Sequence, residues 1–348
     1  MKKILTNGVA DNPYNQQNSI SCLRIFATVC VVWLHTCSTL CENQLIFNLD
    51  KKQSLFFSAS YQTVNWAVPV FFMITGMLFL RPDKHINAKE CFFKYTRRIF
   101  LALVIFGLPY ATLKMIMTEG WNMSVFYKTM LMVISDTGFG HLWYLYALIG
   151  IYLIMPVLKN FCDKTSDDEL KFILGVLFVF NFCFPLLSRL TKYNIAFQTQ
   201  ISYPIFYVLI GHWLFENKQR LNKKILCSVM LSCILLIWIF NVNNFTPEIW
   251  TQYDSPLIAL LAASIFALFI TKEWQSTRKL WELDRLCFGV YLIHPLFIQF
   301  TYRVLRITPI KFPLYPVMAV LIAMFFTCLA FGATWIIRKI PIMKKYIL

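Results

Sequence analysis

The chain has 348 residues, 58% of them hydrophobic and only 14% charged, with a mean hydropathy of +0.58. That balance excludes a soluble globular domain and implies a polytopic membrane protein. The formal net charge of +16 points to nucleic acid in other settings. Here Lys and Arg fall between apolar runs, where membrane orientation accounts for them, and no nucleic-acid partner is expected.

Residues 1–18 are polar, carry no signal-peptide pattern and read as a cytoplasmic segment. Candidate spans follow at 20–40, 64–80, 99–117, 142–158, 172–187, 201–215, 225–240, 256–270, 286–305 and 314–337. A crossing takes about 20 apolar residues, so several of these are short. With a cytoplasmic N-terminus, 23 of the basic residues fall in inner segments and 9 in outer ones, Arg24 being the remaining one. That bias predicts an all-α protein of about ten transmembrane helices with both termini cytoplasmic. The expected organisation is one membrane-embedded domain over 1–348, multi-pass in the inner (cytoplasmic) membrane, with no fused soluble domain. The longest outer loop, 118–140, contains Trp121, Phe126, Tyr127, Met130, Leu131 and Val133, and reads as a segment lying on or dipping into the membrane surface.

Two ionisable residues, Arg24 and His35, sit in the first span, where such groups are costly and usually functional. Eleven helical steps return to within roughly 20° of the starting face, about 16 Å further along. The pair therefore shares one stripe, an anion clamp at one end and a proton-transfer group deeper in. His141 opens the fourth span beside Trp143, and His294 precedes Pro295 in the ninth, where proline removes a backbone hydrogen bond and favours a kink. For both histidines a hydrogen bond to a neighbouring helix is the competing reading. No Asp or Glu falls inside a predicted span, and Glu42, seven residues beyond His35, is the nearest carboxylate in sequence. Glu42 reads as an acceptor for His35 or as a solvated helix-end carboxylate. Lys94, Arg97 and Arg98 at the start of the third span anchor it by charge or cradle phosphates. Pro69, Thr75 and Gly76 permit close helix approach in the second span. The eleven cysteines show no CxxC spacing and read as small buried hydrophobes, and no metal site is expected.

Four blocks in order carry a resemblance: Arg24 through His35; Val68-Pro69-Val70-Phe71-Phe72-Met73-Ile74-Thr75-Gly76; His141-Leu142-Trp143-Tyr144 with Tyr152-Leu153-Ile154-Met155-Pro156; and Gly289-Val290-Tyr291-Leu292-Ile293-His294-Pro295. The chain resembles the integral-membrane acyltransferase-3 family, bacterial enzymes that O-acylate surface glycans. It looks most like the branch that includes the enterobacterial common antigen O-acetyltransferase. The resemblance implies acyl-CoA, acetyl-CoA foremost, as a cytoplasmic co-substrate, with no tightly bound cofactor. It implies a hydroxyl of a surface polysaccharide or lipid-linked oligosaccharide as acceptor. His35 would be the catalytic base, Arg24 its signature partner, and Arg97 or Arg98, with Lys94, the basic motif that holds the acyl-CoA. His141, Trp143, Tyr291, His294 and Glu42 are then candidate substrate-binding residues.

Two positions depart from the family pattern. Relatives commonly carry Asp three residues before the signature Arg, where this chain has Ser21, so that carboxylate is absent or supplied elsewhere. The basic Arg-x-x-Arg spacing is met by Lys94 and Arg97, and lysine is a point charge rather than a bidentate fork. The alternative function is a transporter or flippase for a lipid-linked or acyl substrate, marked by an inverted repeat with broken helices, which the sequence does not display.

Overall fold

A computed structural model describes residues 13–121, 124–135, 140–197, 202–272, 274 and 277–348, with side chains from residue 18 onward except at 117–119 and 126. Lys2, Lys3 and the rest of the expected polar segment up to residue 12 lie outside the described residues, as does the side chain of Phe126. Helix α1, Pro13–Glu42, begins within the stretch read as polar and carries Arg24 and His35. It is followed by α2, Lys51–Thr63, and α3, Ala67–Phe79. Helices α4, Arg97–Glu119, and α5, Ser124–Ile134, come next. Then come α6, Trp143–Lys164, α7, Asp167–Phe178, and α8, Phe184–Thr191. Helices α9, Tyr203–Glu216, α10, Lys223–Val242, and α11, Pro256–Ile270, continue the bundle. The short α12, Arg278–Asp284, leads into α13, Cys287–Gln299, and α14, Tyr315–Ile337, completes it. The described residues contain no strand. The protein is an all-α polytopic membrane protein.

Each of the ten candidate spans coincides, over its described residues, with a helix or a run of helices, and among the described residues seven runs are long and apolar enough to cross a bilayer. The helices at 203–216, 256–270 and 287–299 are shorter. A 14-residue helix rises about 21 Å against a hydrocarbon core of about 30 Å. Burial accounts for the difference: most residues of α9, α11 and α13 are buried against other helices, and a helix sheathed in protein need not match the lipid thickness.

The stretch after α1, expected to be an outer loop, is instead helical. Asp50 caps α2 by accepting from the Gln53 amide at 2.8 Å, and the Gln53 side chain accepts from the Asp50 amide at 3.2 Å. This reciprocal capping box fixes the start of the helix. Its polar sequence disguises burial. Gln62 is fully buried and accepts a 2.8 Å hydrogen bond from Asn241, so a polar pair replaces apolar packing there. The expected surface segment is α5, which packs on α4 and leaves Tyr127, Met130 and Leu131 exposed.

Helix α1 occupies the centre and touches α2, α3, α11, α12, α13 and α14. In its most apolar stretch 61% of residues are buried, against 17% for α10 at the periphery. Asp167 opens α7. It accepts from Lys171 at 2.7 Å, Trp213 Nε1 at 2.8 Å and Asn217 at 3.1 Å, and these bonds, Lys171 foremost, hold its carboxyl down to about 2.

The tightest crossing is α3 on α9. A methyl group at Gly76 would lie 1.8 Å from the Val208 carbonyl oxygen, and one at Gly211 would lie 2.3 Å from that of Met73. The obstacle in each case is backbone, which cannot rotate away. Gly76→Ala is therefore expected to destabilise the bundle by at least about 1–3 kcal/mol, the usual cost of overpacking. Thermal unfolding of the purified protein in detergent checks this; an unchanged midpoint contradicts the close crossing.

Candidate active site

Arg24 lies inside the bundle and needs a counter-charge. Its Nη1 donates to Asp284 Oδ1 at 2.5 Å, and the Ser21 hydroxyl donates to Asp284 Oδ2 at 2.9 Å. The carboxylate that Ser21 lacks is thus supplied from the end of α12, and it meets the arginine beside position 21 itself. Around this pair is a cavity of about 470 Å³. Four arginines line it, Arg24, Arg98, Arg285 and Arg338, against the single acid Asp284. Arg98 Nε donates to the Ile347 carbonyl at 2.7 Å. Arg338 Nε is buried and has no hydrogen-bond partner among the described residues. That is a donor held ready for an anion, since an unsatisfied buried N–H costs about 1–3 kcal/mol.

The expected basic motif divides. Arg98 reaches the cavity. Lys94 turns to Glu90 at 2.8 Å on the exposed surface, and Arg97 lies over the Tyr346 ring at 5.8 Å, so neither lines the cavity. A π-type turn at Cys91–Thr96 widens the helix just before α4, which alters the faces that these residues occupy. Arg285 and Arg338 look like ordinary inner-side anchors in the sequence, and only folding separates them from the other cations.

The three span histidines converge. The His35 ring is 5.1 Å from that of His294 and 6.2 Å from that of His141, and His141 lies 5.9 Å from His294, centroid to centroid. His294 is fully buried, and its Nδ1 is 2.9 Å from the Val290 carbonyl oxygen. A carbonyl only accepts, so Nδ1 carries the hydrogen and Nε2 is left as an acceptor. That Nε2 has no partner among the described residues. The His35 ring likewise has no hydrogen-bond partner there, and no carboxylate bonds to it. The Tyr291 hydroxyl donates to the His141 carbonyl and ties α13 to the start of α6. Among the described residues no cluster of His, Cys, Asp and Glu is arranged to hold a metal ion.

His35 and His141 line a second cavity, of about 610 Å³. It holds Glu42, Glu248 and Asp254, together with Tyr61, Trp143, Tyr203 and Tyr253. Trp143 and Tyr253 lie 5.2 Å apart and 31° from parallel. Glu42 shares this cavity with His35 without bonding to its ring. Tyr291 lines the arginine cavity instead, and His294 stands in the wall between the two. The tyrosines and Glu248 carry no signal in sequence, because aromatic and acidic residues at predicted helix ends are common on any membrane protein.

A family model described as an acyltransferase domain matches residues 17–339. The chain belongs to the acyltransferase-3 family. A curated relative named amino-acid racemase, from Enterococcus faecalis, is 24% identical over 316 residues, which cover 85% of this chain and 43% of the relative. The chain therefore spans less than half the length of that relative. No solved structure matches. The two cavities and the histidine cluster are the candidate active site of this family member.

The carboxylate relocation has a direct test. Asp284→Ala leaves Arg24 without its counter-charge. Breaking a fully buried pair on one side costs about 3–5 kcal/mol. Here the two side chains keep 27% and 16% exposure, so about 2 kcal/mol is expected. Adding Ser21→Asp to Asp284→Ala should recover most of the lost unfolding midpoint. The same Ser21→Asp in the unaltered protein should lower it, because two carboxylates then crowd one arginine. No recovery in the double variant means that Asp284 does not stand in for an acid at position 21.

Proposed function

We propose that this acyltransferase moves an acyl group, acetyl foremost, from acyl-CoA to a hydroxyl of a surface or lipid-linked glycan. The observation that carries the reading is a pair of chemically opposite cavities, one around Arg24 and the other around His35, eleven residues apart on the same helix. One is lined by arginines, with an unpartnered guanidinium N–H, and suits the phosphates of coenzyme A. The other, lined by aromatic rings and carboxylates, suits a sugar, whose faces stack on rings and whose hydroxyls bond to acids. The charge bias of the sequence supports a cytoplasmic arginine cavity and an inner-membrane location.

In this reading Arg24, Arg98, Arg285 and Arg338 hold the nucleotide end and the thioester reaches the histidine wall. His35 takes the proton of the acceptor hydroxyl as its oxygen attacks the thioester carbonyl carbon. The tetrahedral adduct then expels the CoA thiolate, which recovers that proton from His35, leaving an O-acyl ester and free coenzyme A. Tyr291 and His141 hold the wall in place through their shared hydrogen bond. His294 Nε2 is an unfilled acceptor whose ring lies 5.1 Å from that of His35; on substrate binding the His35 ring turns to give it the N–H of the nitrogen that does not face the acceptor hydroxyl, the task a carboxylate performs in other histidine bases.

His35→Ala should lower acyl transfer from radiolabelled acetyl-CoA to glycan by at least about 100-fold, the share of a general base. Normal turnover by that variant sinks the mechanism. Substrate uptake without consumption of acyl-CoA would support a transporter instead. His294→Leu should lower kcat by about 10- to 100-fold with KM for acyl-CoA unchanged, the loss of one hydrogen bond to a charged group. His294→Gln, whose side-chain carbonyl offers an acceptor near the place of Nε2, should recover part of that rate. Equal rates for the Leu and Gln variants would reduce His294 to packing.

A further inference from the structure

A third cavity, of about 600 Å³, lies on the His35 side of the bundle beyond the end of α1. Residues 46–48 form one wall. A π-type turn, Phe300–Val304, which extends α13, and the chain from Arg306 to Lys311 form the rest. Three lining residues are cationic, Arg303, Arg306 and Lys311, and none is acidic. Arg303 donates to the Asn43 side-chain oxygen at 3.0 Å and Lys311 to the Arg306 carbonyl at 2.6 Å, both neutral acceptors. Among the described residues none of the three forms an ion pair at contact distance; Glu42, which lines the neighbouring cavity, meets Arg303 only through longer-range charge attraction. Membrane orientation does not call for them, since they belong to the minority of basic residues on the outer side of the sequence-based topology.

Two independent features point to a ligand. Thr308 lines the same cavity and is only 2% exposed, yet its hydroxyl has no partner among the described residues. A buried hydroxyl left in that state costs about 1–3 kcal/mol unless something accepts from it. Arg306 has φ +56°, in the left-handed region that a residue other than Gly, Asn or Asp enters at a cost of about 1–3 kcal/mol. The rim is apolar and open, with Leu45 and Ile46 at 88% and 70% exposure and Leu305 and Ile307 also exposed. Cations without acids, a hydroxyl without an acceptor and an apolar rim together describe a phosphate carried on a hydrocarbon chain.

We propose that this cavity is a phosphate-binding site occupied by an anionic lipid headgroup. Arginine forks and the Lys311 ammonium meet the phosphate oxygens, the Thr308 hydroxyl donates to one of them, and the acyl chains lie along the apolar rim. The site does not depend on the acyl-transfer reading.

The test uses the full chain in nanodiscs of phosphatidylcholine containing a minor fraction of phosphatidylglycerol. Native mass spectrometry after release counts the lipids that stay bound. The unaltered protein should retain phosphatidylglycerol selectively. Arg303→Gln with Arg306→Gln and Lys311→Gln should weaken that retention at least about tenfold, since charge-assisted hydrogen bonds to the phosphate are lost. Arg306→Asn separates binding from folding: asparagine suits the left-handed backbone, so the unfolding midpoint holds or rises while retention falls. Inorganic phosphate alone forms the second arm. If it raises the unfolding midpoint of the native protein but not of the triple variant, while phosphatidylglycerol retention is the same in both, the lipid assignment is overturned in favour of a soluble phosphate. Retention and phosphate response that are both unchanged in the triple variant overturn the site.

Discussion

A guanidinium inside a membrane bundle must be paired, and the Arg24–Asp284 bridge is the pairing on which the centre of this protein is aligned. It joins α1 to the end of α12, and α13 begins three residues later. From Arg24 to His35 is eleven residues, about 16 Å of helix. From Asp284 to His294 is ten residues, roughly the same rise along a segment that runs in the same direction. Anchoring the two segments at one end therefore brings the two histidines level at the other. Their ring separation of 5.1 Å is the outcome of that matched length.

The same alignment divides the interior. On the bridge side, four arginines outnumber the acid that one of them uses. On the far side, carboxylates and aromatic rings collect around His35. The wall between them is assembled from α1, α6 and α13, and its polar contacts are internal: Tyr291 to the His141 backbone and His294 to the Val290 backbone. Pro295 contributes by withholding the N–H that would otherwise bond the Tyr291 carbonyl, which loosens α13 where the wall needs irregular backbone. In the proposed reaction a neutral thioester would approach such a wall at less desolvation cost than the charged nucleotide that carries it. The charges can stay among the arginines while the reacting carbon advances.

What was legible in the sequence followed from rules of period and cost. Apolar run lengths located the helices, and the single-stripe spacing of Arg24 and His35 marked the buried polar axis. Gly76 marked a close helix crossing, which the structure gives to α9. The unread features share a cause: they depend on which helices are neighbours. Nothing local distinguishes Lys94 and Arg97 from Arg98, yet a widened turn sends only one of the three to the cavity. The absent acid at Ser21 was a visible gap, and its replacement came from an aspartate at the end of α12, 263 positions away. Helix α2 was missed because its buried face carries Gln62, whose amide is matched by Asn241 on another helix. A hydrogen bond between distant residues leaves no periodic trace.

Basic residues on the outer side of the sequence-based topology run against the charge bias, and the structure gives several of them a use. Arg189 is held by Asp254, which itself lines the His35 cavity. That bond takes one carboxylate out of play as a free charge. The acidic character of the cavity then rests on Glu42, at the end of α1, and Glu248, on the short helix Pro247–Trp250 before α11. Arg303, Arg306 and Lys311 have no acid at contact distance, Glu42 reaching Arg303 only through longer-range attraction, and they share a cavity of their own. An exposed cation paired with a carboxylate contributes little beyond local geometry. Three cations gathered without one repel each other, and they persist at close range only where the fold holds them or an anion joins them.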